Sequence, residues 1–277
     1  MRQNGRWVLA GTLLLAVAFV VPGIVAAVPT AAASVSTLHA RSLSFPSGHG
    51  GRTSFTCPTI SGAGTSTCST NWGGYADTAA SGSVTSVSGS WTVPKLSCPR
   101  TGTTYVAIWV GIDGYSSSTV EQTGVLGECY RGTASYAAWY EFYPAGMVAW
   151  SSQTVKAGDS VSASVSLSSG VYTVSLTVNS GSANTASATV SGAASSSAEW
   201  IVERPSLCNA FSCTLSTLAN FGTSGFSSAS ATIGGSTGSI SAGSDVAITM
   251  VSGSRGPVLA LPSSLGSSGS SFSVTYQ

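Results

Sequence analysis

From Asn71 to the C-terminus, apolar and polar side chains alternate with a period of two. In VSGSWTV, Val87, Gly89, Trp91 and Val93 alternate with Ser88, Ser90 and Thr92; in VSASVSL, Val161, Ala163, Val165 and Leu167 alternate with serines. YTVSLTV puts Tyr172, Val174, Leu176 and Val178 on one face, and FSVTY does the same with Phe272, Val274 and Tyr276. Successive side chains of a strand point to opposite faces, so this pattern predicts antiparallel strands with one buried and one wet face. Such runs are broken by Gly, Ser and Asn turns and joined by no convincing helical stretch. They predict one all-β domain of about 200 residues over 71–277, a sandwich or a barrel.

Upstream of Asn71 the period is absent. Arg2 and Arg6 precede an apolar run from Trp7 to Val21, which Pro22 and Gly23 break before the small residues Ala26, Ala27 and Ala31 to Ala33. That order predicts a signal peptide over 1–33, the apolar run being shorter than the about 18 residues of a membrane span. Residues 34–70 are polar, rich in Gly and Ser and aperiodic, and read as a pro-segment or linker, expected to be cut in acid between Ser61 and Asn71. A secreted, extracellular protein is expected. Export makes the six cysteines readable as three disulfides; of fifteen pairings, sequence proximity favours Cys57–Cys68, Cys208–Cys213 and Cys98–Cys129. No C-x-x-C pattern or nearby histidine supports metal ligation.

Charge narrows the chemistry. Only 7% of the 277 residues are charged and the formal net charge is +1, which gives no case for a nucleic-acid partner. Residues 71–277 hold six basic and all nine acidic side chains, a net charge of −3. Both histidines, His39 and His49, lie upstream, so a Ser-His-Asp or Cys-His arrangement and zinc ligation by histidine are excluded from the domain. Neither Lys95 nor Lys156 belongs to an S-x-x-K motif. Carboxylate chemistry remains, and two of the nine acids fall in the apolar stretch AEWIVER, residues 198–204. In a strand Glu199, Ile201 and Glu203 share one face, and the two glutamate Cα atoms stand about 13 Å apart. Two glycosidase carboxyls need roughly 5 to 9.5 Å, so these two do not serve each other as that pair. A glutamate facing inward beside Ile201 would have a perturbed pKa; on periodicity alone, two acids facing solvent from an edge strand fit better.

The blocks NWGGYA (71–76), WTVP (91–94), WVGIDG (109–114), EQTG (121–124), WYEFYP (139–144) and AEWIVE (198–203) follow one another across the domain. Together they resemble the glutamic peptidases, the eqolisin-type secreted acid proteases. The resemblance implies a concanavalin-like antiparallel β-sandwich of two long curved sheets and a catalytic dyad, which by motif is Gln122 and Glu203. It also implies that Trp72, Trp109, Glu141 and Tyr143 line the substrate cleft. By strand parity Trp109 and Asp113 share a face, as do Trp139, Glu141 and Tyr143, so aromatic and acidic groups are expected together. No cofactor or metal is expected. The partners implied are polypeptide substrates, with no nucleic acid, no membrane contact after signal removal and a monomeric state.

The chain departs from the family pattern where members often carry an aspartate after QTG and another before WYE; here Leu126 and Ala137 stand. Arg204 and Pro205 replace acidic and aromatic residues after the second glutamate of AEWIVE. The mechanism the resemblance implies is direct attack by water, with Glu203 as base and Gln122 holding the water and then the oxyanion, under acid conditions that suit a carboxyl of reference pKa about 4.3. The alternatives are a carbohydrate-binding, lectin-like sandwich using exposed Trp and Tyr, and a glycoside hydrolase pairing Glu203 with Glu141. GTSG at 222–225 resembles the nucleophile turn of serine-carboxyl peptidases, but the region is too short for that family.

Overall fold

The computed structural model describes residues 42–44, 56–209, 211–253 and 256–277. The expected signal peptide and most of the expected pro-segment lie outside these residues. In chain order the strands are β1 (Ser42–Ser44), β2 (Thr65–Ser69), β3 (Trp72–Thr78), β4 (Val84–Thr92), β5 (Thr103–Ile112), β6 (Val120–Tyr130), β7 (Thr133–Tyr143), β8 (Val148–Ala149), β9 (Ser160–Ser168), β10 (Val171–Val178), β11 (Asn184–Ala188), β12 (Ser197–Glu203), β13 (Ser206–Cys208), β14 (Cys213–Leu215), β15 (Thr223–Ile233), β16 (Ser236–Gly238), β17 (Asp245–Val251), β18 (Val258–Pro262) and β19 (Phe272–Tyr276). A 3-10 turn at Ile240–Ala242 is the one helical element among the described residues.

One hydrogen-bonded path runs β11-β10-β9-β4-β15-β19-β18-β17-β3-β12-β5-β6-β7-β8. Strands far apart on that path touch: β4 meets β5 and β12, β9 meets β5 and β6, and β10 meets β6. The path therefore doubles back, and the expected sandwich is present as two leaves joined through β19, β18 and β17. Val87, Trp91, Val165 and Val174 of one leaf and Ile108, Val110, Trp200 and Val202 of the other belong to the core between them.

The leaves differ in what they bury. In β9 and β10 buried and exposed positions alternate, whereas every residue of β12 is buried and β5 and β6 are buried along nearly their whole length. The second face of the β3-β12-β5-β6-β7 leaf carries its own apolar cluster, with Trp72, Trp109, Trp139, Ile201 and Leu126 at its centre. A strand buried on both faces reads as a continuous apolar run rather than an alternation, which is why AEWIVE lacks the period of its neighbours. It is a central strand, between β3 and β5, so the solvent-facing edge reading is excluded.

Every pairing on the path is antiparallel; the parallel pair is β2 with β17, at the margin. β2 and the Cys57–Cys68 disulfide tie residues upstream of Asn71 into the fold, so the folded domain begins before the first motif block. The other two disulfides are Cys98–Cys129 and Cys208–Cys213. All three match the pairing that sequence proximity favours.

Candidate active site

Strand register sorts the second face of the inner leaf into rows. One row runs Trp72, Glu203, Ala107, Leu126 and Ala137; the next runs Gly74, Ile201, Trp109, Gly124 and Trp139; the third runs Ala76, Glu199, Gly111, Gln122 and Glu141. The sequence-derived candidates Trp72, Trp109, Gln122, Glu141 and Glu203 thus share one face, each with essentially no exposed surface. Tyr143, two residues beyond Glu141, packs partly buried against the same cluster.

The middle row explains the glycine of EQTG. Gly124 lies between two tryptophans, and a Cβ there would sit 2.6 Å from Trp109 Cβ and collide with the carbonyl oxygen of Ile108. Gly111 has a like role, since its Cβ would stand 2.8 Å from Trp109 Cζ3. The Trp109 indole lies over this glycine floor, edge-on to Trp72 with ring centroids 5.0 Å apart, and its Nε1 donates to Glu203 Oε2 at 2.9 Å. Asn71 Nδ2 donates to Glu203 Oε1 at 3.2 Å. Two rows away, Gln122 Nε2 donates to Glu141 Oε2 at 2.9 Å.

These contacts set the electrostatics. Burial pushes the Glu203 carboxyl well above its usual range; the donors on Asn71 and Trp109 pull it back, and the nearby Glu141 pushes it up. The Trp109 indole spans from Gly111 to the Glu203 carboxyl, and Glu141, which accepts from Gln122, is near enough to raise the Glu203 pKa.

Asp113 departs from the parity expectation. β5 ends at Ile112, Asp113 takes a left-handed φ of 71°, and its carboxylate accepts the backbone N–H groups of Ala194, Ser195 and Ser196. It anchors a loop and does not accompany Trp109. Asn71 is the site residue that sequence reasoning did not single out; the signal available was its place at the head of the NWGGYA block. Among the described residues no group of three or more His, Cys, Asp or Glu is placed to hold a metal ion.

Residues 70–276 match the Peptidase A4 family. The chain belongs to that family. Its similarity to aspergillopepsin-2 of Aspergillus niger is 38% identity over 178 residues, 55% of this chain and 61% of that relative, so the match spans about three fifths of the relative's length. Among solved structures, scytalido-glutamic peptidase with a transition state analog inhibitor aligns with a TM-score of 0.65 at 26% identity, covering 75% of this chain and 98% of that one. Aspergilloglutamic peptidase from Aspergillus niger aligns with a TM-score of 0.53 at 35% identity, over 63% of this chain and 99% of that one. In this peptidase A4 chain the six motif blocks fall inside the matched region, and four of them, NWGGYA, WVGIDG, EQTG and WYEFYP, supply the floor and walls around AEWIVE.

Proposed function

We propose that this chain is a secreted glutamic endopeptidase that hydrolyses polypeptides by direct attack of water, with Glu203 and Gln122 as its catalytic residues. The observation that carries the reading is a wholly buried carboxyl, Glu203, both of whose oxygens accept side-chain N–H groups, on the same sheet face as the Gln122–Glu141 pair. As carboxylate, Glu203 takes a proton from the attacking water, whose oxygen bonds to the scissile carbonyl carbon. Gln122 has two amide hydrogens; Glu141 takes one, and the other donates to the oxyanion. Glu203 then returns its proton to the leaving amine as the C–N bond breaks. Trp72, Trp109 and Tyr143 shape the cleft around the extended substrate.

A base must be ionised to act, so a carboxyl raised by burial places the rising limb of the pH–rate profile above about 4.5. The test is hydrolysis of a denatured protein by folded variants between pH 3 and 7, with polysaccharides as a parallel substrate. Glu203→Gln should abolish turnover, and Gln122→Ala should lower it by about 10²- to 10³-fold, the usual loss for an oxyanion donor. Full turnover by Glu203→Gln, or hydrolysis of polysaccharide alone, would defeat the reading.

A further inference from the structure

The proposed base is held by a chain of hydrogen bonds whose direction can be worked out atom by atom. Ser69 and Asn71 flank the turn between β2 and β3, and both are buried, 2% and 4% exposed. The Ser69 hydroxyl oxygen accepts the backbone N–H groups of Asn71, at 3.3 Å, and Trp72, at 3.2 Å. With two donors on its lone pairs, the hydroxyl sends its own proton to Asn71 Oδ1, 2.9 Å away. That bond settles the orientation of the Asn71 amide: Oδ1 faces Ser69, so Nδ2 must face Glu203 Oε1. The main chain holds the frame, because Arg204 N–H donates to the Asn71 carbonyl at 3.0 Å. Trp109 Nε1 reaches the other carboxylate oxygen. Both of these side-chain contacts on Glu203 are therefore donors.

We propose that Asn71, oriented by Ser69, is a positioning residue for the peptidase reaction: it holds the Glu203 carboxylate in place and favours its ionised form against the pull of its buried surroundings. The inference rests on Glu203 being the base. Carboxylates are favoured by donors and disfavoured by burial and by neighbouring anions. The titratable groups sharing this face are Glu141 on β7, Glu199 on β12, Glu128 on β6 and the phenols of Tyr105, Tyr115 and Tyr143, none of which brings positive charge. Arg204, next in sequence to Glu203, turns its guanidinium to the carbonyls of Thr70 and Ser252. No cation offsets burial at Glu203 among the described residues, so N–H donors carry that task, Asn71 and Trp109 first and Trp72 after them.

The test is the pH dependence of kcat/KM from pH 3 to 7 for wild type, Asn71→Ala and Asn71→Asp, with folding checked by circular dichroism. A hydrogen bond to a charged group contributes about 1.5 to 3 kcal/mol, which corresponds to about one to two pH units. Asn71→Ala should therefore move the acid limb upward by about one to two units and lower kcat at pH 4 by about tenfold or more, with KM changed far less. Asn71→Asp keeps the shape and the Ser69 contact but turns the donor into an acid, and should move the limb further. Ser69→Ala frees the amide to rotate and should give a smaller shift in the same direction, which keeps the test available if Asn71→Ala does not fold. An acid limb unmoved in the folded variants, with activity lowered uniformly at every pH, would overturn the positioning role. Failure of the catalytic reading itself looks different: Glu203→Gln would then turn over whatever Asn71 does.

Discussion

At the scale of single residues, two glutamates of one strand compete for the proposed role of base, Glu203 and Glu199. Register puts Glu199 in the same row as Gln122, with Gly111 between them, whereas Glu203 stands two positions beyond the Trp109 row. Row alone would choose Glu199. Hydrogen bonding reverses that choice: side-chain N–H groups reach both Glu203 oxygens, whereas the Glu199 oxygens meet no well-formed hydrogen bond, and burial raises both carboxyls well above the usual range. Glu121 points to the opposite face of β6 and is likewise raised by burial and Asp113, to about 8. Glu121→Gln and Glu199→Gln should each keep kcat/KM within about tenfold of wild type, a change of about 1.4 kcal/mol, in single-turnover assays at pH 4 to 6. A dead Glu199 variant beside an active Glu203 variant would exchange their roles. Parity made the shared face of the two glutamates legible in the sequence, and the motif blocks singled out Gln122 and Glu203. The Asn71 contact was not legible, because its partner lies 132 residues away. Nor was the turn at Asp113, where a left-handed backbone overrides strand parity.

At the scale of elements, the strands easiest to recognise are those farthest from the site. β4, β9 and β10 alternate because one of their faces meets solvent. β5, β6 and β12 do not, because they are packed between the sandwich core and the second apolar cluster, and their sequence gives a run where the eye expects a period. The same double burial makes the inner leaf intolerant of added atoms. Gly124→Ala should destabilise by at least about 3 kcal/mol, the upper end of overpacking costs, since the new methyl meets backbone as well as Trp109. It should also lose activity, by displacing the indole that holds Glu203. Gly253, whose Cβ would meet nothing within 4 Å, is the control, and Gly253→Ala should stay within about 0.5 kcal/mol of wild type. Urea unfolding at pH 4 measures both; equal midpoints would remove the glycine floor from the account. The departures at Leu126 and Ala137 also gain meaning here. Both lie in the Glu203 row, two and three strands away from it, so aspartates there would add negative charge to a row that this chain keeps apolar apart from Glu203.

At the scale of the whole molecule, all nine acidic residues are buried, the most exposed being Asp245 at 8%. Carboxyls are rarely buried unless paired, and among the described residues these have few cationic partners. Such a fold depends on where their protons are. Burial, then the charge of Asp245 opposite it in the β3–β17 register, raises Asp77 from 3.8 to about 7, and Glu121 rises from 4.5 to about 8. Because the folded state binds these protons more tightly than the unfolded chain does, their contribution is fully present below about pH 4 and is lost as pH climbs through 7 and then 8. Glu199 and Glu203 act in the same direction. Asp159 opposes them: its hydrogen bond from Asn179 lowers its pKa, so its contribution is lost only in strong acid. The expected result is a melting temperature that is high near pH 4 and falls by roughly 10 °C or more by pH 8, since each kcal/mol lost costs about 2 to 4 °C in a domain of this size. Asp77→Asn and Glu121→Gln cannot ionise, so each should flatten that fall while leaving the melting temperature at pH 4 nearly unchanged. Thermal melts of the three proteins from pH 3 to 8 decide it: a wild-type profile that is flat or rises with pH would show that the buried acids are paid for elsewhere in the fold.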